Sequence, residues 1–377
     1  MGDMNIIVAV ACIFLWYFLF EKIIEKRWEK NLKVKVHCNR DYAYEGEELE
    51  LVEEIENRKF LILPGLKVKF TTSRYWDFKE EEKGVTTDQY YRNDVFSVGG
   101  YERIRRVLPF TCLKRGYYIL GDIEVFASNY FYTKEYVKKQ YQEQWVYVFA
   151  KRVRTPQMDL LFKQMLGEVI TRKRVSEDPF YFVGIRDYQT YDTMRQINWK
   201  ASAKTGELKV NRLEHTAEQS IHIFVFCEQK NVEWDRNMEE YVLRFAATLT
   251  ERFLMEKIPV SFVCNGFDVE TGQWIAIGTG SGENHMRCID EGIARIDLNK
   301  GGRSIEDSLS FFEATMKEED LHIVISTSQS VTFQKFLQQK KAEKYDFLWV
   351  LPHYETEQVQ VESSLKEQCM EWITYTE

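Results

Sequence analysis

The most distinctive group of charged and hydrogen-bonding side chains lies in residues 182–214, FVGIRDYQTYDTMRQINWKASAKTGELKVNRLE. Arg186, Asp187, Asp192, Arg195, Asn198 and Lys200 fall within fifteen residues there. Guanidinium and carboxylate groups so close can form two-pronged ion pairs, or they can offer fixed donors to an anionic ligand. Two readings therefore stand side by side. Arg186, Arg195 and Lys200 form an anion or partner site, or the polar side chains satisfy one another in a structural network; the second is the expectation. Asp192 or Thr193 is expected to cap a helix running to about Lys204, with Thr193 and Gln196 as a capping box. Gly206 is expected to end it in a left-handed turn. Met194, Ile197 and Ala201 share one face of that helix and are expected to point inward.

Other chemistry is sparse. The six histidines are dispersed and form no H-E-x-x-H. The seven cysteines include no C-x-x-C, which removes zinc-ribbon and redox-motif readings and fits a reducing compartment. The loop IGTGSGENH (277–285) has Glu283 where a dinucleotide fingerprint needs glycine, and no G-x-x-x-x-G-K-[ST] occurs, so a connecting loop is expected. Glu228 and Asp268 read as ordinary acids. No Ser-His-Asp or Cys-His set can be assembled from spacing alone. The basic run Arg172-Lys173-Arg174 is expected on a solvated strand face. With 51 Lys+Arg against 59 Asp+Glu in 377 residues, the formal charge of −8 carries no nucleic-acid signature. The expectation is no enzyme, no catalytic residue, no cofactor and no metal.

The elements that must position these residues fall into four segments. Met4 to Phe20 is uncharged and, as a helix, covers roughly 26 Å, close to the thickness of a hydrocarbon core. A retained transmembrane anchor over 4–24 is expected rather than a cleaved signal, because no basic residue precedes the run and bulky Phe-Leu-Phe ends it. Lys22, Lys26, Arg27, Lys30, Lys33 and Lys35 follow the span, which predicts a single-pass cell-membrane protein with its N-terminus outside and its bulk in the cytoplasm. Lipid contact comes through the anchor. Residues 31–150 alternate apolar and polar in short runs separated by turn residues, which predicts an antiparallel β-sandwich. A connecting segment, 151–218, contains an amphipathic helix at QMDLLFKQML and the charged cluster. In 219–377, apolar strands alternate with helices, ending in the strand DFLWVLP. That pattern predicts a doubly wound, mostly parallel α/β sheet.

The cluster resembles the signature of the bacterial "domain of unknown function 58" family, roughly R-x-Y-x-x-G-D-x-x-R-x-I-N-W-K-x-x-A-R-x-x-x-L-x-V. Arg186, Tyr188, Asp192, Arg195, Ile197, Asn198, Trp199, Lys200 and Ala203 match within 182–210; Tyr191 replaces the glycine and Lys204 the later arginine. Arg115, Gly116, Tyr118 and Gly121 fit an R-G-x-Y-x-x-G stretch upstream. Members commonly have two N-terminal spans; this chain shows one. The resemblance implies a von Willebrand factor A-like C-terminal domain. The metal site of such domains would map to Cys227, Gln229 and Asn231, with Arg303 where a threonine would stand and Thr327-Ser328 in place of a late aspartate. Mg²⁺ prefers carboxylate and hydroxyl oxygens, so these degenerate positions predict no metal but a potential partner contact. The resemblance also implies a separate MoxR-type AAA+ ATPase as protein partner, with transglutaminase-like proteins encoded nearby. Three functions are weighed: a membrane-anchored cytosolic interaction or scaffold protein, a hydrolase-like enzyme with a cryptic site between domains, and an extracellular adhesin. The first is the expectation.

Overall fold

The computed structural model describes residues 2–78, 84–86, 89–142, 144–176, 182–189, 192, 194, 197–213, 220–227, 233–298, 304–317 and 320–374. The chain divides into two compact units, residues 1–151 with 290–296, and residues 152–289 with 297–377.

The first unit opens with the apolar helix α1 (Gly2–Arg27). Residues 6–16 are exposed along it, whereas Ile24 and, just beyond it, Trp28 join the core of the strands that follow. Those strands are β1 (Leu32–Cys38), β2 (Tyr42–Tyr44), β3 (Glu48–Asn57), β4 (Leu63–Ser73), β5 (Trp76–Phe78) and β6 (Gly84–Thr86). Next come β7 (Gln89–Val98), β8 (Arg103–Cys112), β9 (Gly116–Leu120), β10 (Ile123–Ser128), β11 (Glu135–Gln140) and β12 (Gln144–Phe149). They form sheets ordered β1-β3-β8-β5, β11-β10-β4-β7-β6 and β2-β12-β9. The alternation in LKVKVHC and ELELVEEIEN puts Val34, Val36, Leu49, Leu51 and Ile55 inward. Leu66, Val68 and Val125 come from the second sheet, so the two larger sheets close on one sandwich core.

The second unit begins with α2 (Pro156–Ser176). Arg172–Arg174 therefore continue this helix and are not in a strand; the buried positions Met158, Leu161, Met165 and Val169 keep helical spacing past Gly167 and carry the helix up to them. The unit continues through β13 (Phe182–Asp187), α3 (Trp199–Thr205), β14 (Lys209–Leu213), β15 (Ile221–Phe226), α4 (Glu233–Met255), β16 (Val260–Asp268) and β17 (Trp274–Gly280). Past α5 (Glu283–Arg295) and β18 (Ile296–Asp297), which contain the first unit's residues 290–296, the second unit resumes with α6 (Ile305–Thr315), β19 (Leu321–Ser326), α7 (Val331–Ala342), β20 (Phe347–Tyr354) and β21 (Cys369–Thr374). The main sheet runs β17-β16-β15-β19-β20-β21. All its neighbours are parallel except β17, which pairs antiparallel with β16. Strands β15, β19 and β20 are buried at every position, as continuous apolar runs covered on both faces require. The sheet does not end at DFLWVLP: β21 adds a parallel edge strand through Trp349↔Cys369 to Tyr354↔Thr374. Its sequence, CMEWIT, lacks a continuous apolar run, because only Trp372 and Thr374 are buried.

Candidate functional site

The charged cluster is built on a small antiparallel pair. Strand β13 pairs with β14 so that Arg186 faces Val210 and Asp187 faces Lys209. Arg186 donates from Nη1 to Asp192 Oδ2 at 2.6 Å and from Nη2 to Oδ1 at 2.5 Å. The Gln189 amide donates to the same carboxylate at 2.8 Å. These hydrogen bonds, Arg186 first, hold the Asp192 carboxyl below the usual carboxylate range. Lys209 pairs with Asp187 and also reaches Glu207.

The helix starts later than the capping-box spacing suggests. Its N-cap is Asn198, whose Oδ1 accepts from the Ala201 amide at 2.9 Å. Asp192 is instead committed to Arg186. Thr193, Arg195 and Gln196 lie outside the described residues. Asn198 also donates to Asn211 Oδ1 at 2.7 Å, which ties the cap to β14. Ser202, buried, donates to the Asn198 carbonyl and accepts from the Lys209 amide. Gly206 ends the helix at φ 77°, the left-handed cap the sequence predicts.

Ile197 is buried, but Met194 is 71% exposed and does not point inward; with α3 beginning at Trp199, the expected helical face does not extend back to it. Trp199 is 63% exposed and Lys200 is exposed. Tyr188 is half-buried, its amide donating to the Leu208 carbonyl. The polar members thus bond among themselves, while Met194, Trp199 and Lys200 face outward.

A second candidate lies at the carboxyl ends of β15 and β19, where the strand order reverses. Open α/β sheets bind ligands at this point. The Cys227 amide donates to Asn265 Oδ1 at 2.7 Å, and Asn265 Nδ2 donates back to the Cys227 carbonyl at 3.0 Å and to Ser308 Oγ at 3.3 Å. Ser326 Oγ accepts from the Ser328 amide at 3.0 Å, and Ser328 Oγ donates to the Oγ of Ser330, the N-cap of α7, at 3.0 Å. Gln229, Asn231 and Arg303 lie outside the described residues. Among the described residues no three His, Cys, Asp or Glu side chains converge on a metal position.

Spacing did not reveal a third arrangement, at the opposite ends of the same strands. Register places His222 beside both Ser261 and His322. Ser261 Oγ lies 2.5 Å from His222 Nδ1, and His222 Nε2 lies 2.7 Å from Asp320 Oδ2. With Nε2 donating to Asp320, Nδ1 accepts the serine proton. Burial works against ionised Asp320, but the hydrogen bonds from His222 and Ser220 keep its carboxyl below the usual range. His322 stacks on His222 at 5.3 Å, accepts from the Lys317 amide and pairs with the Asp346 carbonyl. Burial first, opposed by that carbonyl, lowers its pKa to about 4, so it is neutral. The order Ser-His-Asp is that of a nucleophile relay. Ser261 is only 3% exposed, however, and sits at the amino ends of parallel strands, away from where such sheets bind ligands.

Finally, an open cavity of about 550 Å³ lies between the start of α2 and the end of α4, lined by Thr155, Asp159, Phe162, Thr248, Arg252 and Met255 among others. Arg252 pairs with Asp159 at 2.5 Å, and Arg152 with Glu251 at 3.4 Å.

No family model and no curated protein matches the chain. Several solved structures are similar over about a third of it. The CARDB domain of a Pyrococcus furiosus protein, solved with two metal ions, is 17% identical, covering 32% of this chain and 90% of its own, at a TM-score of 0.21. A type II cohesin domain from the cellulosome of Acetivibrio cellulolyticus is 8% identical over 31% of this chain and 95% of its own, at 0.23. A cohesin module from a Clostridium perfringens family 33 glycoside hydrolase is 12% identical over 32% and 97%, at 0.24.

Proposed function

We propose that this chain is a membrane-anchored interaction protein facing the cytosol, with a von Willebrand factor A-like α/β unit and no catalytic residue of its own. The observation that carries the reading is the signature segment. Arg186 bonds to Asp192, Asn198 to Asn211 and Ser202 to the Lys209 amide, which ties the described parts of the segment to β13 and β14. Outside this frame, Met194 and Trp199 expose large apolar side chains, and Lys200, which follows Trp199, is exposed too. Aromatic and methionine side chains are enriched at protein–protein interfaces. The strand order, with its antiparallel first edge and its reversal between β15 and β19, supports the von Willebrand factor A-like reading. By resemblance, the partner is a separate MoxR-type AAA+ ATPase.

Crosslinked pulldown from membranes with mass spectrometry tests this. Wild type should recover an AAA+ ATPase, and Trp199→Ala with Lys200→Glu should lose it without a change in melting temperature. Equal recovery would move the docking face elsewhere. Absence of any ATPase from the wild-type sample would remove the partner assignment.

The hydrolase-like alternative has one observation in its favour, the Ser261–His222–Asp320 line. A fluorophosphonate probe separates the readings: buried Ser261 should stay unlabelled in the folded chain, and a covalent adduct on it would favour the enzyme.

A further inference from the structure

Helix α1 is too short to cross a bilayer with only its free part. Tyr17 touches Phe131 at 5.3 Å between ring centroids, and Phe20 touches Tyr130 at 5.5 Å. Glu21 is 6% exposed, Ile24 3% and Trp28 5%. The sandwich therefore holds one face of the chain from Tyr17 to Trp28. Residues 4–16 alone make roughly 20 Å of helix, against about 30 Å of hydrocarbon. A full-length span must continue to about Ile23. On the outer face this is feasible, since Phe18, Leu19 and Ile23 are 51–58% exposed. On the inner face, the β10–β11 turn then lies at membrane depth.

That turn has the chemistry for such a position. Phe131 is 62% exposed and Tyr132 65%, beside Tyr17, in the arrangement of an interfacial aromatic belt. The two phenols bring no unsatisfied hydroxyl: Tyr130 donates to the Ile62 carbonyl at 3.0 Å and Tyr132 to the Pro64 carbonyl at 3.2 Å. A Cβ on Gly65 would come within 2.8 Å of the Tyr132 ring, so glycine leaves room for it. The turn also neutralises the one acid on the inner face at that depth. Asn129 Nδ2 donates to Glu21 Oε1 at 3.0 Å, and Lys134 Nζ reaches Oε2 at 3.3 Å. Ionisable groups within a membrane need such partners. Asn129 accepts the Thr133 and Lys134 amides as well, so one buried side chain shapes the turn and covers the carboxylate.

The geometry points to the turn 129–134 as a second membrane element, seated in the lipid interface with Phe131 foremost and completing the span that α1 begins. This rests on reading α1 as an anchor. The occupant is the bilayer itself, which is continuous with the exposed helix.

The test is depth by spin-label accessibility in the full chain, reconstituted in phosphatidylethanolamine/phosphatidylglycerol vesicles. Cys288→Ala and Cys369→Ala provide the background. A nitroxide is placed on native Cys12 or, with Cys12→Ala added, on Phe131→Cys or Ile119→Cys. Ile119 is also 62% exposed but precedes β10, at the end opposite the turn. Both Cys12 and Phe131→Cys should collide with oxygen more than with a water-soluble nickel chelate, and Ile119→Cys should do the reverse. If Cys12 reads as lipid and Phe131→Cys as water, the bilayer thins around a short span and the proposal is overturned while the anchor stands. If Cys12 itself reads as water, the anchor reading fails, and the proposal with it. Hydroxyl-radical footprinting of the unsubstituted chain in the same vesicles gives a second measure. Corrected for intrinsic reactivity, Phe131 and Tyr132 should oxidise several-fold more slowly than Trp145; equal rates would overturn the proposal.

Discussion

Glu53 sits in the sandwich, 1% exposed, beside Asp94, Arg92 and Arg106. Asp94 takes both guanidiniums, from Arg92 at 3.1 Å and Arg106 at 2.7 Å. Burial opposes its ionisation, but these bonds win and hold it below the usual range. Glu53 is left with burial first, and the Asp94 charge second, both raising its pKa, to about 8. The folded state thus keeps a proton that the unfolded chain releases near pH 4.5. Glu53 contributes stability below that pH, and the contribution is lost as pH rises towards 8. Glu53→Gln should therefore raise the melting temperature at pH 8 more than at pH 5. His322 has the opposite sign. Its folded pKa of about 4 lies below 6.5, so stability present above pH 6.5 falls as pH drops towards 4, by up to about 3 kcal/mol. Urea titrations of wild type and His322→Gln across that window check this; the variant should show a shallower fall.

At the scale of elements, α3 depends on its two ends more than on its seven residues. Asn198→Ala removes both the cap and the bond to Asn211, and should cost about 1–2 kcal/mol by denaturant titration. At Gly206 there is space for a Cβ, so Gly206→Ala should cost only the left-handed strain, about 1 kcal/mol. Arg186→Lys should lower the melting temperature almost as much as Arg186→Ala, because an ammonium cannot reproduce the two-pronged contact with Asp192. The edge strand β21 is anchored by Trp372, fully buried against Phe245 at 4.9 Å. Trp372→Ala should cost about 3–5 kcal/mol in the same titration.

For the whole molecule, the proposed anchor and its orientation are tested by which cysteines a reagent outside the cell can reach. Cys227 and Cys264 are buried and report nothing on intact protein, whereas Cys288 is exposed. A membrane-impermeant maleimide on intact cells should leave Cys288 unmodified and label it after lysis. Labelling before lysis would reverse the orientation that the basic run 22–35 predicts.

Much of this was legible in the sequence because it depends on local periodicity. The uncharged run predicts α1, alternation predicts the sandwich strands, and the mainly apolar runs IHIFVF, LHIVIS and FLWVLP predict buried parallel strands. Gly206 was legible as a helix end because glycine takes the left-handed cap without a Cβ penalty and is the residue most favoured there. The Arg186–Asp192 pair was legible as a choice between two readings, since six residues of separation allow the contact without requiring it. What only the tertiary structure decided involves partners distant in the chain. His222, Ser261 and Asp320 meet because strand register brings positions 39 and 98 residues apart side by side. Strand β21 pairs through backbone groups that carry no side-chain pattern. Glu21 finds Asn129 across 108 residues. Sequence periodicity records which side of an element faces inward; which residue waits there is set by how elements pair, and that is a property of the fold.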